Sequence, residues 1–559
     1  MFAIKSQTHS IMIQTKILPS ANEAFAYPLL IKRILADSLK YEPNNEIVYR
    51  DLTRYNYFEL NKRVRKLANV LENLGIKAGD TVAVLEYDST RYLELFFAVP
   101  MIGAVLHTVN YRLSPDQVLY TMNHAEDTIV FTNVDFIPLM SGIKAKLNTS
   151  IPCVLMTDSD KLPDTDFPIS GEYEELMKEA NDIYEFPDFD ENSVASMFYT
   201  TGTTGNPKAV YFTHRQLVLH TMAAAVVFGS YDSVCRFRSN DVYMPITPMF
   251  HVHAWGVPYV ATMLGVKQVY PGRYEPEMLL RLLLTEKVTF SHCVPTILHM
   301  LVSSPVAKAV DLSNWKVVIG GAAFPAGLAK ASLELGIDVI TGYGMSETCP
   351  ILSLTYLNEK EKEMELNRQV EIRTKTGVPI PLVDMKVVDV QMKPMPKDGG
   401  SVGEIVARTP WLTQAYYKEE ERSNELWKGG YLHTGDVAYV DEDNFFQITD
   451  RIKDVIKTGG EWISSLELED LISQYEVISE VAVVGIPDEK WSERPYAMVV
   501  LKEGSKVSAK DVKSFMQQFV EDGTLNKWAV PSQIDLVAAI PKTSVGKIDK
   551  KRIRAEYKK

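Results

Sequence analysis

Apolar positions along the chain follow two periods. Between Tyr57 and Gly75, Leu60, Val64, Leu67, Leu71 and Leu74 recur at helical spacing, which predicts one buried helix face, and Gly75 supplies its stop. "TVAVLEY" (81–87) and "DTIVFTN" (127–133) are short, β-branched runs of the kind that fill buried strands. The same texture returns in "KQVYPG", "KVVIGGAAFP" and "IDVITGYGMSE", each of which reaches glycine or proline. Helices and strands alternating in this way predict an α/β fold with substantial parallel sheet.

Near Asp450 the pattern changes. "ITDRIKDVIKTGGEWIS" (448–464) sets charges between short apolar pieces and precedes a tail with its own pattern. In that tail, "ELEDLISQY" and "SAKDVKSFMQQF" predict helices, and "EVAVVGIPD" and "PYAMVVLKEG" predict strands. The expected division is a large domain over 1–450 and a small α+β domain over 451–559. No internal repeat or low-complexity segment is visible.

Composition narrows the class. A chain of 559 residues exceeds what one core supports, and 46% hydrophobic with 23% charged residues is the make-up of a folded globular protein. A net charge of −13 argues against a nucleic-acid partner. Cys153, Cys235, Cys293 and Cys349 lie far apart without metal-ligand spacing, which suits reduced thiols in a cytoplasmic enzyme. No segment approaches the roughly 20-residue apolar run of a membrane span, and polar residues interrupt the N-terminal stretch where a signal peptide would need an apolar core. A cytoplasmic location is the expectation.

"YTTGTTGNPK", Tyr199 to Lys208, looks like a phosphate-holding loop but breaks the Walker A rule. Gly202 and Gly205 are too close, and Ala209 stands where a hydroxyl residue should follow Lys208. Its flanks, "ASMFY" and "AVYFT", are both strand-like, so the loop is expected at a hairpin tip. Glycines there permit close backbone approach, amides can form an anion-binding nest, and five hydroxyl groups add donors.

Together with four other motifs in order, this loop resembles the signature of the adenylate-forming superfamily, which includes acyl-CoA synthetases, firefly luciferase and peptide-synthetase adenylation domains. "TGYGMSET" (341–348) is similar to its adenine and magnesium motif, "YLHTGD" (431–436) to its ribose motif, "DRIKDVIKTGGEWIS" to its hinge, and "PKTSVGKIDK" (541–550) to the loop with the catalytic lysine. "MFHVHAWGVPY" and "KTGGEWISS" look most like the medium- and long-chain fatty acyl-CoA synthetases.

The resemblance implies a large N-terminal domain of several subdomains, with mixed, largely parallel sheets, and a small C-terminal domain on a hinge. It also implies an AMP-forming acid–thiol ligase: a carboxylate attacks the α-phosphorus of ATP, pyrophosphate leaves, and the coenzyme A thiol then displaces AMP. Thr200, Thr201, Gly202, Thr203, Thr204, Gly205 and Lys208 would hold phosphates, and Thr200 and Glu347 would ligate Mg²⁺. Gly321, Ala322, Gly342, Tyr343, Gly344 and Thr348 would surround adenine, while Asp436 and Arg451 would take the ribose.

Lys547 would stabilise charge in the first step and then leave as the small domain turns about Lys453. Gly459 and Gly460 would leave room for a pantetheine tunnel, and Lys457 and Trp462 match nucleotide-contacting positions. His251 follows Phe250 where peptide-synthetase domains carry aspartate; it disfavours an amino-acid substrate and joins Lys547, Thr200 and Glu347 as a catalytic residue. Trp255 matches a tunnel-gating position. Gly344 replaces the tryptophan that shortens the pocket of acetate-activating relatives, so an acid of four or more carbons is expected, plain or hydroxylated.

Two alternatives stay open: an enzyme that loads a separate carrier protein, and a nucleotide-binding regulator without catalysis. Intact Lys208, Glu347, Asp436 and Lys547 speak against the regulator. Related fatty-acyl enzymes are homodimers, which makes a homodimer a further expectation.

Overall fold

The computed structural model describes residues 16–159, 162–200, 206–458, 461–488, 490–543 and 547–557. The helical stretch read from apolar spacing forms over Tyr57–Asn73, where Asn56 accepts from the Glu59 amide as N-cap and Gly75, at φ +86°, turns the chain out. Its apolar stripe, Leu60, Val64, Leu67 and Leu71, is completely buried.

Among the described residues the strands form four sheets. A seven-stranded sheet is parallel from Ile169–Glu172 to Val194–Thr200 and ends in an antiparallel pairing with Lys208–Thr213. A nine-stranded sheet is parallel through its middle, from Asp338–Gly344 to Glu46–Tyr49, with antiparallel strands at both edges. Asp384–Val388, Gly403–Arg408, Leu432–Val440 and Phe446–Arg451 make an antiparallel sheet of four. The expected α/β class with mixed, largely parallel sheets is what forms.

Past Arg451 the remaining strands build the fourth sheet. Ile478–Asp488 and Ser492–Leu501 form its long hairpin, and Gln533–Leu536 pairs in parallel with the second strand. Helices Ser465–Ser473 and Ala509–Glu521 cover it, and Leu468, Ile472, Val483, Val499 and Met516 make a core of their own. The second helix starts at a capping box between Ser508 and Asp511. All four cysteines are buried free thiols. Among the described residues no helix is long and apolar enough to cross a membrane.

Candidate active site

Strand ends from both large sheets, the antiparallel sheet and the small domain meet around a cavity of about 2420 Å³, lined among others by Thr200, His251, Gly344, Asp436 and Lys547. The carboxyl ends of parallel strands are where such folds place ligands.

The phosphate motif lies at a hairpin tip as expected: Thr200 and Lys208 are the last cross-strand pair, and Tyr199 faces Ala209. Thr201, Gly202, Thr203, Thr204 and Gly205 fall outside the described residues. The Tyr199 hydroxyl lies 2.8 Å from His124 Nδ1, which ties the strand end to the helix Pro115–Ala125. The Lys208 ammonium lies 4.4 Å from the centroid of the Tyr416 ring. Tyr416 also donates from its hydroxyl to Glu347 Oε1 at 2.7 Å. One side chain therefore links the phosphate-loop lysine to the motif glutamate.

Periodicity does not reveal Tyr416. It acts because the segment around it runs beside the strand Lys208–Thr213, with a bridge to Val210 and the Tyr417 amide donating to Ala209 at 3.0 Å. Glu347 is 7% exposed, in a single 3₁₀ turn, Ser346–Thr348, and the Thr413 amide donates to its carbonyl. Thr348 is buried behind it and donates to the Pro350 carbonyl.

Asp436 is 3% exposed and takes two partners. The Tyr343 hydroxyl donates to Oδ2 at 2.7 Å, and Arg451 Nε approaches Oδ1 at 3.0 Å. Asp436 and Arg451 are direct cross-strand partners, so the ladder itself fixes this ion pair. Burial and the neighbouring carboxylate push the Tyr343 phenol well above its ordinary range, so it stays a donor. A carboxylate retains lone pairs beyond these two contacts and can accept from two vicinal hydroxyl groups.

Lys547 comes from the small domain. Its loop closes on itself, with the Thr543 amide donating to the Lys547 carbonyl at 2.7 Å and the Lys547 amide to Thr543 Oγ1 at 3.2 Å. The side chain reaches Gly321 so closely that a Cβ there would stand 3.2 Å from Lys547 Cε and 3.5 Å from Nζ. Gly321 at φ +77° thus gives both the turn and the clearance. Burial in the site, with the Arg451 cation, lowers the Lys547 ammonium to about 8, against the opposing pull of Asp436 and Glu347.

His251 is pushed down to about 3, first by burial and then by Lys547 and Arg112, and so is a neutral imidazole on the cavity wall. Ala322 and Gly342 line the same wall.

Lys453, the expected hinge residue, is exposed at the edge of this group, and its ammonium is lowered by partial burial and by Arg451. Its neighbour Asp454 pairs with Arg554 Nη2 at 2.7 Å, which ties this segment to the last helix, Lys550–Tyr557. The Lys457 amide donates to Glu493 Oε2 at 2.9 Å, and the backbone of Trp462 pairs with Lys457. The Trp462 side chain, Gly459 and Gly460 lie outside what is described.

After His251 the chain takes an uncommon path. Val252, His253, Ala254, Trp255 and Gly256 all have φ between +48° and +72°. A left-handed turn costs roughly 1–2 kcal/mol for each non-glycine residue, so the surrounding packing must hold it. The turn delivers the Trp255 indole onto His292, centroids 4.9 Å apart and planes at 29°, with its tip 3.0 Å from where a Gly320 Cβ would be. The Met249 amide, two residues before His251, is fixed by buried Asp88 Oδ1 at 2.8 Å, and Thr108 Oγ1 donates to the Phe250 carbonyl at 3.0 Å.

The space read from Gly344 takes a different form. A Cβ at this position would stand 1.7 Å from the Pro350 carbonyl oxygen. The missing side chain therefore makes room for main chain.

A divalent cation needs hard oxygen donors. Glu347 keeps Oε2 beyond its bond to Tyr416, and Thr200 presents a hydroxyl on the same cavity. Among the described residues no group of three or more His, Cys, Asp or Glu is placed to hold a metal. One carboxylate and one hydroxyl fit Mg²⁺, which is usually bound by one or two protein oxygens together with waters and substrate phosphates.

Comparison with known sequences gives this geometry its family. The AMP-binding enzyme family matches residues 35–417, and the AMP-binding enzyme C-terminal domain matches 467–547. The chain belongs to the AMP-binding enzyme family. It is 39% identical to a long-chain-fatty-acid–CoA ligase of Thermus thermophilus over 91% of both chains. It is 35% identical to a 3-methylmercaptopropionyl-CoA ligase of Ruegeria lacuscaerulensis over 95% of this chain and 98% of that one. Its fold matches the crystal structure of the anthranilate CoA ligase AuaEII in complex with anthranoyl-AMP, with a TM-score of 0.83 at 22% identity over 96% of this chain and 98% of that one.

Proposed function

We propose that this member of the AMP-binding enzyme family is an AMP-forming acyl-CoA ligase, with the two half-reactions run at one cavity. The observation that carries the reading is Lys547: a cation from the small domain set beside Gly321, within the field of Asp436 and Glu347. In the first step an acid oxygen forms a bond to the α-phosphorus of ATP while the bond to pyrophosphate breaks. Two anions approach, so a preplaced cation lowers the barrier more than any neutral donor could.

In this reading Asp436, oriented by Tyr343 and Arg451, accepts from the ribose hydroxyls. Lys208 and Thr200 face the outer phosphates, and Mg²⁺ held by Glu347 and Thr200 would supply further positive charge there. Neutral His251 takes no charge to the site and can donate to, or accept from, the acid. In the second step the coenzyme A sulfur bonds to the acyl carbon and AMP leaves. Lys547 lines the cavity in the present arrangement, and in this reading the small domain turns about Lys453 to admit the thiol.

The acid is proposed as a medium- or long-chain fatty acid or a short acid of four or more carbons, plain or hydroxylated. The relatives named for a long-chain fatty acid and for a short thioether acid bracket that range. A panel of C2 to C16 acids, plain and hydroxylated, with ATP, Mg²⁺ and coenzyme A tests the reading. AMP and thioester are the expected products; ADP in place of AMP would refute it.

A further inference from the structure

On the acid side, one face of the nine-stranded sheet floors the cavity, and strand register sets its residues on levels. Phe290 pairs with Lys316 and His292 with Val318, while Val318 pairs with Ile340. Because side chains alternate along strands, Phe290, His292, Val318, Gly320 and Gly342 share this face. At the carboxyl ends Gly320 and Gly342 add no side chain of their own, the Trp255 ring tip comes down on Gly320, and Lys547 enters beside Gly321. It is closed at the amino ends by aromatic rings. Phe228, from the helix His214–Ser230, meets Phe290 edge to face at 5.5 Å, and both line the cavity. Phe237 backs Phe290 in a stacked contact at 4.4 Å, so the wall is two rings deep.

We propose that Phe228 and Phe290 are the stop that sets the longest acid this site accepts, at about eight carbons; this rests on the acyl-CoA ligase reading above. Gly320 is four residues beyond Lys316, the partner of Phe290, which at ~3.3 Å per residue gives a lane of ~13 Å. A van der Waals contact with the aromatic wall takes up ~4 Å of it. The remaining ~9 Å holds about seven carbons beyond the carboxyl carbon at ~1.25 Å each, the advance of a ~1.5 Å carbon–carbon bond in an extended chain, which makes about eight in all. Trp255 lies over His292, midway along the lane, and its tip reaches Gly320, so the acyl chain has to run beside the indole.

The test is kcat/KM for AMP formation over straight-chain acids from C4 to C14, for the parent and Phe228→Ala. In the parent each buried methylene raises kcat/KM about fourfold up to about C8, and longer acids gain nothing more. In Phe228→Ala the optimum moves two to four carbons longer and the C12:C8 ratio rises at least about tenfold, the worth of roughly two newly buried methylenes. The C4 value, which never reaches the wall, stays within about threefold and reports that the variant is folded. Should C4 activity be lost, Phe228→Leu carries the same prediction with a smaller shift, read also as calorimetric binding of the acids alone. Superimposable profiles for parent and variant, or a parent that uses C14 as well as C8, overturn the stop while leaving the ligase reading intact. A parent that releases AMP with no acid overturns both.

Discussion

The nucleotide side of the cavity is held by charged hydrogen bonds between elements far apart in the chain, whereas the acid side is shaped by absent side chains and by aromatic rings. Asp436 joins Tyr343 and Arg451, and Glu347 joins Lys208 through Tyr416. Across the cavity, Gly320 and Gly342 add no side chain to the floor, and Trp255, Phe228 and Phe290 bound it. Polar groups buried in pairs tolerate little change, because breaking a pair leaves a charge unmatched. An apolar wall can change size and still fold. One half thus fixes the chemistry, and the other is free to set the acid.

If the halves are separable, substitutions should move the Michaelis constants one at a time. Asp436→Ala removes the acceptor proposed for two hydroxyl groups and the ion-pair partner of half-exposed Arg451; kcat/KM for ATP should fall at least about 100-fold, with KM for the acid changed by less than about threefold. Equal changes in both constants would end the separation. Gly344→Ala sets a methyl group against the Pro350 carbonyl, and moving that main chain should cost about 3 kcal/mol of stability in denaturant unfolding. An unchanged unfolding midpoint would show that the backbone has slack.

Tyr416→Phe keeps the ring under Lys208 but removes the bond to Glu347. About a tenfold loss in kcat/KM for ATP is expected, and it should be partly recovered at higher Mg²⁺. The mildest probe is pH. Lys547 sits near 8 rather than its ordinary 10.5, so its positive charge is lost as pH rises through 8. Adenylation kcat/KM should then fall up to about tenfold per unit above that value. Lys547→Arg, charged throughout, should flatten that limb; a limb unchanged in this variant would assign it to another group.

Much of this was legible in the sequence for a physical reason. Tyr343, Glu347, Asp436 and Lys547 were each picked from a short motif, and all four line one cavity. The buried strands Thr81–Leu85 and Asp127–Asn133 were equally plain, since fully buried strands admit little but apolar residues. Tyr416 was not legible, because its two partners lie some 70 and 200 residues away and only tertiary packing brings them to one ring. Phe228 and Phe290 look like any core phenylalanines until the register of the sheet places Phe290 and the edge-to-face contact sets Phe228 against it. Gly344 was read for the room it leaves, yet the space beside it belongs to the Pro350 main chain, which no sequence pattern reports.

The central claim is that Lys547 acts in the first half-reaction alone. The direct measurement compares Lys547→Ala with the parent in two separate assays: acid-dependent pyrophosphate exchange, and thioester formation from supplied acyl-adenylate and coenzyme A. Exchange is predicted to fall by 10²-fold or more, the order seen when one preorganised charge-stabilising group is removed, while thioester formation stays within about threefold of the parent. Equal loss in both assays, or exchange that survives unchanged, would contradict the account.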